Sequence, residues 1–84
     1  MDAMKVSVAF CGLHRRMTKT DRIRVPILRH SRVDDILSYL KQCYPDLPLG
    51  EDTILVTVNN RVSSADRVLE AGDRIALMPH IGGG

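Results

Sequence analysis

The stretch SRVDDILSYLKQCY, residues 31–44, decides the fold, because it is the one long helical pattern in a chain of otherwise alternating segments. Val33, Ile36, Leu37, Leu40 and Tyr44 recur at the three- and four-residue spacing that puts them on one side of a helix, leaving a single apolar stripe to bury. Ser31 stands three residues before Asp34, the spacing of a capping box, and Asp34 and Asp35 favour the positive end of the helix dipole. Pro45 stops the helix, since the residue before a proline is driven away from helical angles. One striped helix needs one sheet face to lie on, so the segments on either side of it must supply a sheet.

They do. Met4, Val6, Val8 and Phe10 alternate with Lys5, Ser7 and Ala9, the signature of a half-buried strand. Cys11 to Thr20 breaks that alternation with Gly12 and basic residues and reads as a long hairpin loop. Asp21 to Ile27 alternates again, with Ile23, Val25 and Ile27 facing inward and Arg22 and Arg24 outward. Pro26, lacking an N–H, suits an edge strand. Beyond the helix, Asp46 to Asp52 is a connecting loop and Thr53 to Asn59 a strand with Ile54, Val56 and Val58 on one face and Leu55 on the other. Asn59 and Asn60 make a turn, Arg61 and Val62 a short strand, and Ser63 to Leu69 a helical turn. Glu70 to Asp73 is another turn, with Gly72 free to take positive φ, and Arg74 to His80 is the last strand, with Ile75 and Leu77 inward and Ala76 and Met78 outward.

The expected fold is therefore α+β: a β-grasp (ubiquitin-like) arrangement in which a mixed sheet of four to five strands carries one main helix on one face. Its first and last strands lie side by side in the middle. Residues 1–81 form the domain and residues 82–84 a glycine tail.

Size and composition narrow the function. A chain of 84 residues has room for a modest core, burying roughly 60–65% of its unfolded surface, and little for a deep substrate cleft. The net charge of +2 is too small to argue for nucleic acid, and no aromatic residue is interleaved with the basic cluster Arg15, Arg16, Lys19 and Arg22. That cluster is a solvated loop or a dock for an acidic partner surface. Two cysteines and no leader sequence point to a reducing cytoplasm, and no apolar run is long enough to span a membrane. Cys11 and His14 make half a zinc site with no second close pair, so no metal is expected. Cys43, near the helix stripe, reads as a small buried hydrophobe rather than a persulfide acceptor.

The sequence closes on Gly82, Gly83 and Gly84. Glycines lose much backbone freedom on ordering and give a core nothing. Two uses fit: a flexible stub, or an end that threads a narrow channel into another protein. Ahead of them stand Ile54-Leu-Val-Thr-Val-Asn-Asn60, then Leu69-Glu-Ala-Gly-Asp-Arg-Ile-Ala76, then Met78-Pro-His-Ile81. This ordered set resembles the ubiquitin-like sulfur carriers of the MoaD/ThiS type, above all the molybdopterin synthase small subunits, with the thiamine-pathway carriers as the other branch. Those proteins share the V-N turn, the G-D turn and a proline-containing last strand before Gly-Gly. Two features depart from the first branch: His80 stands where a second proline is usual, and Leu77 and Met78 where aromatic residues often occur. The Cys43 to Asp52 segment departs from the second, whose members are usually shorter.

The resemblance implies a non-enzyme, a sulfur-carrier cosubstrate that binds no cofactor of its own. A partner adenylating enzyme spends ATP to activate the carboxylate of Gly84, which becomes a thiocarboxylate. Sulfur then passes to an intermediate in molybdopterin biosynthesis, on the large subunit of molybdopterin synthase, or in the thiamine branch on thiazole synthase. A protein modifier that forms isopeptide bonds uses the same tail and is the competing reading, and an inert interaction module is the third. In the carrier reading Gly84 is the attachment point, Gly83 gives clearance and Gly82 flexibility. Ala76, Met78, Pro79, His80 and Ile81 are the candidate partner-binding residues. Ile81 has a second reading, closing the domain's own core. Exposed Ala76 and Met78 also fit an ordinary surface.

Overall fold

In the computed structural model the described residues are 4–50 and 54–79, and they form the order β1 (Met4–Phe10), α1 (Gly12–Thr18), β2 (Arg22–Ile27), α2 (Val33–Cys43), β3 (Ile54–Val58), β4 (Arg61–Val62) and β5 (Arg74–Pro79). The strands make one sheet in the order β2-β1-β5-β3-β4. β1 and β5 are parallel neighbours at its centre, and every other pairing is antiparallel. This is the β-grasp arrangement, and Pro26 sits on an edge strand, opposite Lys5, as its missing N–H requires.

Alternation sorts each strand into a core side and an open side. Val6, Val8 and Phe10 of β1, Val25 and Ile27 of β2, Ile54, Val56 and Val58 of β3, and Ile75 and Leu77 of β5 are buried, and with Val33, Ile36 and Leu40 of α2 they form one core. Leu47 and Leu49, from the stretch after α2, and Leu69 complete it. Phe10 meets Tyr44 edge to face, ring centroids 6.1 Å apart, tying β1 to the C-cap of α2.

Three local readings of the sequence need correction. Cys11 to Thr20 is not simply a loop, because residues 12–18 form α1, which packs on β5 and β1. His14 and Thr18, four apart, are its buried pair, and Lys19 closes it in the left-handed region at φ 60°, donating its N–H to Arg15 O at 2.8 Å. The cap of α2 falls one residue later than expected. Arg32 is the N-cap and the Asp35 carboxylate accepts its N–H at 2.8 Å, while the Ser31 hydroxyl is used instead to accept Leu28 N–H at 2.9 Å.

Third, Ser63 to Leu69 contains no helix. It runs alongside the start of α2, where Ala65 O accepts Asp34 N–H at 2.8 Å, Arg67 O accepts Val33 N–H at 3.0 Å and Ser31 O accepts Leu69 N–H at 2.7 Å. The free donors that a helix start leaves open are thus met by a distant stretch of backbone. A helical turn in Ser63 to Leu69 would have withdrawn those carbonyls.

The two-residue link between β3 and β4 is as expected. Asn59 and Asn60 both take positive φ, 53° and 70°, and Val58 faces Arg61 across the turn.

Candidate functional site

β5 is the strand that leads toward the glycines, so its anchoring defines the site. Ile75 and Leu77 hold it from below, at 1% and 0% exposure, between β1 and β3. Its root is fixed by a polar clamp. Buried Asp73 accepts hydrogen bonds from Asn59 Nδ2 at 3.0 Å and from the Glu70 N–H at 2.8 Å. Asn59 Oδ1 accepts the Arg74 N–H at 2.9 Å, and Asn59 N–H donates to Arg74 O at 2.7 Å. Gly72, at φ 86°, donates its N–H to Lys5 O at 2.8 Å, and Ser7 N–H donates to Asp73 O at 3.0 Å. The V-N and G-D motifs, 13 or 14 residues apart in sequence, are therefore two halves of one fastening that sets where β5 begins. Sequence reasoning treated them as separate turns. An asparagine at positive φ and an aspartate following the glycine of a turn were the available signal.

On the open side of the sheet, Ala76 faces Ala9 and Thr57, and Met78 faces Leu55. Met78 is exposed and Ala76 half-buried, so these two of the five candidate partner-binding residues lie on the open face. Pro79 ends β5 opposite Ile54. His80, Ile81, Gly82, Gly83 and Gly84 lie outside the described residues, as does Thr53, and so does the boundary drawn between residues 81 and 82.

The other singled-out residues do not join this site. Cys11 is exposed and His14 buried, with His14 Nε2 3.4 Å from Pro48 O and Nδ1 without a partner among the described residues. No group of three or more residues suited to hold a metal occurs among the described residues. Cys43 is exposed, which overturns its reading as a buried hydrophobe: α2 turns it away from the stripe. Its closest relationship is with Tyr39, one turn back, whose phenol is pushed above its ordinary value by charge repulsion from Cys43 and then by their hydrogen bond.

The basic cluster also divides. Arg15 and Arg16 ride on α1, with Arg15 3.5 Å from Asp21, and Lys19 caps that helix. Arg22 belongs instead to β2 and the open face. No helix among the described residues is long and apolar enough to cross a membrane.

Comparison with known proteins gives the fold and sequence a common context. The model of the ThiS family matches residues 14–84. The chain is 29% identical over 82 residues to the molybdopterin synthase sulfur carrier subunit of Mycobacterium tuberculosis, covering 96% of this chain and 99% of that one. Among solved structures it resembles SAMP1 from Haloferax volcanii, with TM-score 0.82 and 24% identity over 95% of this chain and 99% of that one. It also resembles Urm1 from Trypanosoma brucei, with TM-score 0.75 and 22% identity over 100% and 99% of the two chains.

Proposed function

The chain belongs to the ThiS family, and on that footing we propose that it is a sulfur carrier whose reactive group is the carboxylate of Gly84. The observation that carries this is the family match, which extends through the final glycines, joined to near full-length similarity with a sulfur carrier subunit. In this reading the protein is a cosubstrate that other enzymes load and unload.

A carboxylate is a poor acyl donor at neutral pH. A partner adenylating enzyme transfers AMP from ATP to the Gly84 carboxylate, releasing pyrophosphate. Hydrosulfide, or its equivalent from a sulfur donor, then attacks the carbonyl carbon, the C–O bond breaks with AMP as the leaving group, and loss of the S–H proton leaves a thiocarboxylate. A persulfide donor would give an acyl disulfide first, whose S–S bond a thiol reductant cleaves to the same anion, the thiol ending in a disulfide with the donor. That anion delivers sulfur to a molybdopterin precursor on the large subunit of molybdopterin synthase, and a thiamine-branch carrier would meet thiazole synthase instead. The cytoplasm, which holds ATP and reduced sulfur donors, is the setting of this proposal.

The chain's own contribution is mechanical. Residues 82–84 extend to roughly 10 Å, enough to enter a neighbouring pocket. Any Cβ at Gly83 would crowd the carbonyl under attack, while Gly82 supplies freedom of direction. The fastened root of β5 fixes the point from which this reach is measured.

The deciding experiment incubates the protein with its cognate activating enzyme, ATP and a sulfur donor and reads intact mass. The expected product carries one sulfur in place of one oxygen, localised to Gly84. Gly83→Ala is expected to lower the loading rate by about 100-fold, as displacement of a reacting group by an ångström does. An unchanged mass overturns the proposal. A ladder of lysine conjugates on larger proteins would move the function to the modifier reading.

A further inference from the structure

The open sheet face holds a second feature, away from the end of β5 that leads to the glycines. In the register of the sheet, Arg24 of β2, Ser7 of β1 and Arg74 of β5 form one row. The next row is Arg22, Ala9 and Ala76. Two adjoining depressions of about 320 and 200 Å³ follow these rows and share Ser7 and Arg22. Their walls carry Lys5, Arg22, Arg24 and Arg74, all exposed, and among the described residues no carboxylate. Between the cations the lining includes the small side chains Ser7, Ala9, Ala76 and Thr57, with Asn60 beside them.

None of those four cations is in an ion pair among the described residues, where the ion pair present joins Arg15 to Asp21. Arg24 and Arg74 are two strand spacings apart, roughly 10 Å, and Arg22 and Arg24 two residues apart along one strand, roughly 7 Å. At those distances like charges repel, and neutralising them is favourable. Planar guanidinium groups match carboxylates in fork geometry.

We propose that this basic trough docks a partner protein through a surface bearing at least two carboxylates, spaced about 7–10 Å apart as along an extended acidic segment. Two observations favour a protein over a nucleic acid. The face offers no aromatic side chain for a base to stack on: the single phenylalanine is buried in the core and both tyrosines belong to α2 or its cap. Beside the trough the same face turns apolar, with Met78 and Val62 exposed at 39% and 67%, as a protein interface with a charged rim would use. The proposal goes beyond the tail chemistry and does not depend on it.

The test titrates the ¹⁵N-labelled full chain with a synthetic peptide alternating Glu and Ala, its Gln-for-Glu counterpart, and a single-stranded oligonucleotide of equal charge. The acidic peptide is expected to shift the amides of Ser7, Ala9, Arg22 and Arg74, saturably and less so in added salt, and the Gln peptide to leave them in place. Arg22→Ala combined with Arg74→Ala should weaken binding about fivefold to tenfold while the spectrum stays dispersed. Shifts centred on Arg15, Arg16 and Lys19, absence of shifts, or undiminished binding by the double variant would each overturn the proposal, as would tighter binding of the oligonucleotide at the same amides. Sulfur loading of Gly84 is measured separately. Loading without peptide binding removes the trough alone, and peptide binding without loading removes the carrier reading alone.

Discussion

The two faces of this sheet are built from the same strands and obey opposite rules. Along β5, Leu77 points into the core at 0% exposure, and its neighbour Met78 lies on the other side at 39%. Along β1, Val6 and Val8 are sealed under α2 while Lys5, Ser7 and Ala9 face outward. The core face is uniformly apolar and closed by helices, α2 with its apolar stripe and the short α1 on β5 and β1, so its residues are chosen by volume and shape. The open face carries small, charged and isolated apolar residues with no helix over them, a choice that packing does not explain. The stability of the domain is concentrated on one side, which leaves the other free to be read by partners.

The largest expected effect tests that division on adjacent residues. Leu77→Ala should destabilise the fold by about 3 kcal/mol, from lost transfer energy and the cavity left in the core beside β1 and β3. Met78→Ala, one residue further on, should cost under about 0.5 kcal/mol. Urea unfolding of both variants measures the contrast, and similar midpoints would dissolve the distinction between the faces. For a domain of this size Leu77→Ala removes a large share of a total of roughly 4–12 kcal/mol.

Next in size is the clamp at the root of β5. Asp73→Ala leaves Asn59 Nδ2 and the Glu70 N–H without their acceptor, at a cost of about 2 kcal/mol. Asn59→Ala removes a donor to Asp73 and the acceptor of the Arg74 N–H, so the double variant should cost less than the two single ones together. Full additivity in the same unfolding assay would show that the two motifs act separately.

The contrast between faces also explains what could be read from sequence. A period of two is written directly in Met4–Phe10 and Arg74–Pro79, and the stripe of α2 in Val33, Ile36 and Leu40, because burial imposes it residue by residue. The resemblance to sulfur carriers rested on turn motifs that are themselves structural, Asn59 and Gly72 at positive φ with the Asp73 carboxylate accepting from Asn59 Nδ2. What escaped was decided by tertiary contact. α1 is short and its buried pair, His14 and Thr18, is polar, so hydropathy gave no stripe, although their four-residue spacing was a signal. Residues 63–69 lost their expected helical turn because their carbonyls serve the first turn of α2, which only the fold brings near. Nothing local marked Arg74 as a neighbour of Arg24, since β1 and the strand order place them in one row.

A smaller stability effect with a functional consequence is expected from Met78→Glu. The charge would sit on the exposed face, so the unfolding midpoint should move little. If the proposed sulfur-carrier function holds, loading of Gly84 by an activating enzyme should slow by about tenfold, because a carboxylate would enter the apolar part of the surface proposed to meet the partner. Loading at the normal rate would confine partner recognition to other residues.

The smallest expected effect lies behind the core face, in the segment that backs α2. The Ser64 hydroxyl donates to the Asp66 carboxylate at 2.5 Å, and that bond, first among its causes, lowers the Asp66 pKa from its ordinary value. A carboxyl lowered on folding favours the folded state above its unfolded pKa, and the contribution fades as pH falls through the folded one. Ser64→Ala should therefore bring the Asp66 pKa back up in an NMR titration and flatten the acid limb of stability, leaving the neutral-pH spectrum of α2 in place. Asp66 is exposed, so solvent screens the gain. If the substitution instead shifted the amides of Val33 and Asp34, the side-chain bond would be setting the carbonyls of Ala65 and Arg67 against the helix, and this outer segment would belong with the core face in what it contributes to stability.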